Sequence, residues 1–238
     1  DNIEVFELHN ILTLTKQYKK YDLAFDLEPY LKLSALLTNH LSQKTIGFSH
    51  GPRAKLYDQL VHYNDKIHAV NTFSNLLKPL ELKPKVLDKL ITLKYSKQDK
   101  HRVDKFFNKL PKRRLIIGMT VTSAGTATWR RWSPRKFAKL ADKLIKKHNA
   151  IIIIPDTSNQ HNYIEQIINQ MEQKESVYNF AGTFTLKQLF RLTEKCNIYI
   201  SNDTGPLHIA AAQGTNTIGL FGPNTPVRYA PYGKNNLS

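Results

Sequence analysis

Residues 198–222 constrain the fold most: Ile198-Tyr-Ile-Ser-Asn-Asp203-Thr204-Gly205-Pro206-Leu207-His208-Ile-Ala-Ala-Ala-Gln-Gly214, then Thr217-Ile-Gly-Leu-Phe-Gly222. An apolar run, a polar turn, a run of small residues and a second apolar run predict strand, turn, helix and strand. Thr204 or Gly205 suits the cap, Pro206 the first helical position, and Gly214 the residue just past the helix end. Such a unit sets free backbone N–H groups and the positive end of a helix dipole at the carboxyl edge of a sheet. Anions bind there, phosphates above all. Asp203 and His208 are its only strongly polar side chains apart from hydroxyls and amides.

The same alternation runs through the chain. Strands are expected at 3–8, 22–27 and 45–48, a weak helix at 11–19, helical spacing over 30–40, a helix opened by Pro52, and another over 66–79. The pattern loosens between about 80 and 112, where 94–114 hold nine Lys and Arg; this reads as a basic, solvated connection with some helix, ending at Pro111. A strand at 115–119, a polar loop at 120–131 and a helix capped by Ser133 follow. Next come an unbroken apolar strand at 151–154, a helix carrying Ile164, Ile167, Ile168 and Met171, and a capping-box signature at 185–188. Repeated βα winding implies α/β layers around a parallel sheet, whose ligands sit at the strands' carboxyl ends. The expected domains are 1–110 and 111–238.

At 238 residues, with 41% hydrophobic content, the chain can bury a sizeable core in two domains of ordinary size. No run approaches the ~18 apolar residues of a membrane span, and no signal peptide is visible. The sole cysteine, Cys196, precedes a strand and reads as an inert core thiol; it allows no intrachain disulfide, which fits a reducing, cytoplasmic compartment. The eight histidines other than His208 show no metal-ligand spacing and read as surface or core residues. The net charge is +16, with 18 basic against 12 acidic residues in 1–110 and 17 against 7 in 111–238. That balance suits nucleic acid, an anionic membrane or phosphorylated substrates, and solvated lysine-rich helix faces are the plainer account of most of it. The start at Asp1 and the stop after a proline-rich loop suggest a fragment lacking structure at both ends.

Two polar loops leave the second sheet's carboxyl edge, 120–131 and 202–206. Each offers a glycine for close backbone approach (Gly125, Gly205) and a hydroxyl able to donate to phosphate (Thr126, Thr204). The first also brings Arg130 and Arg131, whose guanidinium groups bind phosphate bidentately; surface solvation beside tryptophan is the alternative. His208 falls in the first helical turn, near enough to donate to a phosphate or to be satisfied by Asp203 or a carbonyl. Asp203 cannot face phosphate directly without repulsion, so it orients the turn, accepts from His208 or binds a sugar hydroxyl. Neither loop contains Gly-Lys-Ser/Thr, and no Gly-x-Gly-x-x-Gly occurs.

Ser201-Asn-Asp-Thr-Gly-Pro-Leu-His208-Ile-Ala-Ala-Ala with Leu220-Phe-Gly-Pro-Asn-Thr-Pro226 resembles the signature of ADP-heptose:lipopolysaccharide heptosyltransferases. Arg130-Arg-Trp132-Ser-Pro-Arg-Lys-Phe-Ala-Lys-Leu140 and Phe180-Ala-Gly-Thr183 are similar to further segments of that family, and Tyr21-Asp-Leu-Ala-Phe-Asp26 to a weaker one. The resemblance implies a GT-B fold of two Rossmann-like domains, the N-terminal one incomplete, with the nucleotide-sugar donor held mainly by the C-terminal one. It places Thr126, Arg130, Thr204, Gly205 and His208 at the donor diphosphate and Asp203 beside the donor sugar. Arg130 stands where the family commonly has lysine, and Gln160 near its ribose-binding carboxylate. The family's catalytic carboxylate lies in an N-terminal Gly-Asp turn with no match here, so the base is expected outside the chain; Asp22, Asp26 and Glu28 lie near a strand end without singling one out.

These readings converge on an inverting glycosyltransferase that moves a sugar, heptose by resemblance, from an ADP-sugar to a lipid-linked, anionic lipopolysaccharide-type acceptor. Neither metal nor other cofactor is expected, and peripheral contact with the inner membrane face suits the charge. Two rivals remain: a basic nucleic-acid-binding α/β protein, which lacks interleaved aromatics beyond Trp129 and Trp132, and a noncatalytic nucleotide-sugar-binding fragment.

Overall fold

A computed structural model describes residues 20–83 and 90–238; the strand expected at 3–8 and the helix at 11–19 lie outside them. The chain forms two compact units, residues 1–86 and 87–238.

In the first unit β1 (Tyr21–Phe25), β2 (Ser42–Phe48) and β3 (Gln59–Val61) form a parallel sheet in the order β1-β2-β3. Helix α1 (Lys32–Leu41) links the first two strands, and α2 (Ala69–Ser74) passes into a 3-10 stretch at Asn75–Leu80. The single helix expected over 66–79 is thus shorter, because Pro79 lacks an N–H and disfavours α geometry at the residue before it. Pro52 likewise opens only a 3-10 turn, Pro52–Leu56. Ile46, Phe48, Val61 and Leu76 make the core. At the end of β1, Asp26 is buried: its Oδ2 accepts from Arg53 Nη2 at 2.6 Å and from the Tyr57 hydroxyl at 2.5 Å. Burial, with the Asp26 bond behind it, pushes the Tyr57 phenol up to about 12. The Tyr57 ring lies so close over β2 that a Cβ at Gly47 would sit 2.3 Å from it. Asp26 is therefore engaged in the core.

The second unit carries an all-parallel sheet in the order β6-β5-β4-β7-β8-β9. Its strands are β4 (Ile116–Thr120), β5 (Ile151–Asp156), β6 (Val177–Ala181), β7 (Ile198–Asn202), β8 (Asn216–Leu220) and β9 (Asn236–Leu237). Its helices are α3 (Lys97–Phe107), α4 (Pro134–His148), α5 (His161–Ile168), α6 (Leu186–Lys195), α7 (Gly205–Ala212) and the short α8 (Pro226–Tyr229). Period-two alternation sorts the apolar run of β5 to the two faces. Ile152 and Ile154 join Phe137, Ala141, Ile164 and Ile167 on one side, while Ile151 and Ile153 join Val103, Phe107, Leu192 and Tyr199 on the other.

The basic stretch read as a solvated connection contributes to that second cluster. Helix α3 starts with a capping box from Ser96 and Asp99 and buries Val103 and Phe107. Asp104 Oδ1 lies 2.7 Å from Arg191 Nη2 of α6. The compact units accordingly divide at 86/87, whereas the expected boundary lay at 110/111.

Candidate functional site

Thr120 at the end of β4 stands in register with Ser201 near the end of β7, so the loops leaving these strands begin side by side. Strand order also reverses here: β5 and β6 lie beyond β4, while β8 and β9 lie beyond β7. A doubly wound sheet opens a crevice at that switch point. A cavity of about 820 Å³ occupies it, lined by the loops after β4, β5, β6 and β7.

Asn202, fully buried at the end of β7, staples the walls together. Its Oδ1 accepts from Trp132 N at 2.9 Å and its Nδ2 donates to Thr122 O at 3.1 Å, joining β7 to both ends of the β4 loop. Arg131 is spent on the same loop: its Nε donates to Ser123 Oγ at 3.1 Å, and its guanidinium lies 4.8 Å over the Tyr163 ring. The loop itself runs as a 3-10 turn, Gly125–Arg130, broken at Ala127.

The structure brings Gly125, Arg130, Asp203, Thr204 and Gly205 together around the cavity. Thr204 is the N-cap of α7, with Gly205 and Pro206 in its first turn. The Thr204 side chain makes no capping bond; its Oγ1 lies 3.3 Å from Asn202 O. Gly205 and Ile209, one helical turn apart, both line the cavity. A Cβ added at Gly125 or at Gly205 would meet no atom within 4 Å, so bare backbone borders open space at both loops. Thr126 and His208 are exposed and do not line the cavity.

Arg130 is the only Lys or Arg among the lining residues, which include two carboxylates, Asp156 and Asp203. Asp156 is engaged, accepting from the Thr122 hydroxyl and, at 2.7 Å, from Thr157 N. Asp203 is buried, its Oδ2 lying 3.6 Å from Arg130 Nη1 and accepting from Asn224 Nδ2 at 2.5 Å. Arg130 Nε is buried without a partner. Phe180, Phe184, Leu186 and Leu189 give the lining an apolar part, and Gln160 also lines the cavity. Phe180 and Phe184 are held edge-on with ring centroids 5.4 Å apart. One cavity thus offers apolar and aromatic side chains together with a guanidinium and a helix N-terminus. That combination suits a nucleoside carrying phosphate.

The sequence reading missed Asn202, Asn224, Asp156 and Thr122. Asparagine at a strand end has no signature in one sequence, because its role depends on partners up to 80 residues away.

The model for glycosyltransferase family 9 (heptosyltransferase) matches residues 12–237. The chain belongs to glycosyltransferase family 9. Lipooligosaccharide heptosyltransferase 2 of Campylobacter jejuni is 30% identical over 123 residues, covering 51% of this chain and 38% of that protein. The lipopolysaccharide core heptosyltransferase OpsX of Haemophilus influenzae is 28% identical over 237 residues, 95% of this chain and 64% of that one. The chain thus spans about two fifths to two thirds of the length of these relatives. Among solved structures, E. coli ADP-heptose lps heptosyltransferase II aligns with a TM-score of 0.70 at 22% identity over 94% of this chain and 69% of that one. The fold class is therefore α/β of the GT-B type, as the family 9 resemblance implied.

Proposed function

We propose that this family 9 chain carries the donor site of an inverting heptosyltransferase, which moves a sugar from an ADP-sugar, heptose foremost, to a lipopolysaccharide core or related saccharide. The observation that carries the reading is the convergence of Arg130 and the α7 N-terminus on the cavity at the switch point. The diphosphate lies between Arg130 and the Thr204–Gly205 turn, the nucleobase lies against Phe180 and Phe184, and the ribose is close to Gln160. Thr126 and His208 stay candidates for the phosphates from the rim. The name of the E. coli structural relative, an ADP-heptose enzyme, and the family description support the donor class.

In the reaction an acceptor hydroxyl attacks the anomeric carbon, the bond to the diphosphate breaks, and the leaving group gains charge. Arg130 and the α7 N–H groups stabilise that charge without reorganising, and losing one such donor costs on the order of 10²-fold in rate. A general base takes the hydroxyl proton. Asp26 is unsuited to it, because Arg53 and Tyr57 occupy its Oδ2 in the core. The acceptor is anionic and membrane-borne, which the +16 charge suits.

Calorimetric titration of the chain with ADP, with ADP-heptose and with an oligonucleotide tests this. Nucleotide binding that Arg130→Ala weakens by about tenfold or more is the expected result. Tight, salt-dependent oligonucleotide binding with no nucleotide response would overturn it in favour of a polyanion-binding protein.

A further inference from the structure

We propose that Asn224 is a positioning residue for the donor diphosphate, drawing the Asp203 carboxylate off Arg130 so that the guanidinium stays open to phosphate. The inference rests on the donor-site reading above. Its starting point is a conflict of charge: the cavity aims one cation at a dianionic ligand, yet a buried carboxylate stands beside that cation. Were Arg130 fully paired with Asp203, phosphate would have to break a desolvated ion pair before gaining anything.

The geometry shows how the conflict is resolved. Asp203 Oδ2 lies 2.5 Å from Asn224 Nδ2 and 3.6 Å from Arg130 Nη1, so the neutral amide holds the close position on that oxygen. Arg130 Nε, buried and unpartnered, still lacks an acceptor that a phosphate oxygen can provide. Asn224 is itself fixed. It sits between Pro223 and Thr225, whose hydroxyl caps α8 by accepting from Val227 N at 3.3 Å. The loop after β8 thus reaches the turn after β7 and sets the charge balance of a site whose ligand it does not need to touch.

The test is calorimetric titration of the full chain and its Asn224 variants with ADP and with adenosine, beside thermal melts. In Asn224→Ala the carboxylate turns to Arg130, so ADP affinity falls about tenfold while adenosine affinity stays within about twofold. Asn224→Asp keeps the shape but repels Asp203 toward Arg130, and its loss of ADP affinity is at least as large. Adding Asp203→Asn to either variant removes the competing charge and restores ADP binding to within about threefold of the parent. A residue that only braced the loop would weaken ADP and adenosine alike, with no rescue, and that pattern overturns the proposal. Unchanged ADP binding in both variants also overturns it and leaves the donor reading standing. A parent chain with no ADP binding overturns both.

Discussion

Gly205 shows how much a missing side chain can carry. It begins α7, lines the cavity, and an added Cβ there would touch nothing, so the space before it is reserved by the sequence rather than required by packing. Gly205→Leu is therefore expected to melt within a few degrees of the parent and to lose about tenfold or more in ADP affinity, read by calorimetry beside a thermal melt. Cys196 illustrates the opposite case, a reactive group silenced by its surroundings. Burial pushes its thiol from 9.0 up to about 12. The folded chain therefore holds this proton longer than the unfolded chain does. The resulting stability is fully present below pH 9.0 and is lost as pH rises toward about 12. Native protein at pH 8 should leave a disulfide-exchange reagent unreacted and release one thiol equivalent on denaturation; prompt native reaction would contradict the burial. Both residues stood out in the sequence. What the sequence withheld was Asn202 and Asn224, whose partners come from other loops.

Among the elements, those with local signals were the readable ones. Thr185 and Gln188 form the capping box their spacing announced: Gln188 N donates to Thr185 Oγ1 at 3.3 Å and Thr185 N to Gln188 Oε1 at 3.2 Å. Thr185→Ala should cost about 1 kcal/mol, seen as a lower urea midpoint with an unchanged slope. Helix α4 and strands β5, β7 and β8 were legible for the same reason, since each carries its period within itself. Strands β3 and β9 are three and two residues long, too short for any period to register. Strand β6, half-buried at the sheet edge, shows neither a buried run nor clean alternation. Helix α3 escaped for a different reason: Val103 and Phe107, one turn apart, are its only buried residues among charged ones.

For the molecule as a whole, that helix decides where a unit ends. Val103, Phe107 and Leu110 complete the core layer built on Ile151, Ile153, Leu192 and Tyr199. A chain of residues 87–238 should unfold cooperatively. One of residues 111–238, cut at the boundary the sequence suggested, should melt at least about 10 °C lower and bind a hydrophobic dye, because it uncovers that layer. Equal melting of the two would return α3 to the role of a linker. By itself the sequence determined the α/β winding, the family and the residues of the α7 turn, because strand period, helix caps and a glycine-bearing motif are written in neighbouring positions. Only the tertiary structure decided what that turn faces. A cavity and an ion pair between Arg130 and Asp203 depend on where loops some 70 residues apart meet, which parallel pairing of β4 with β7 sets. The amide drawing one oxygen away comes from the loop after β8, which pairs with β7.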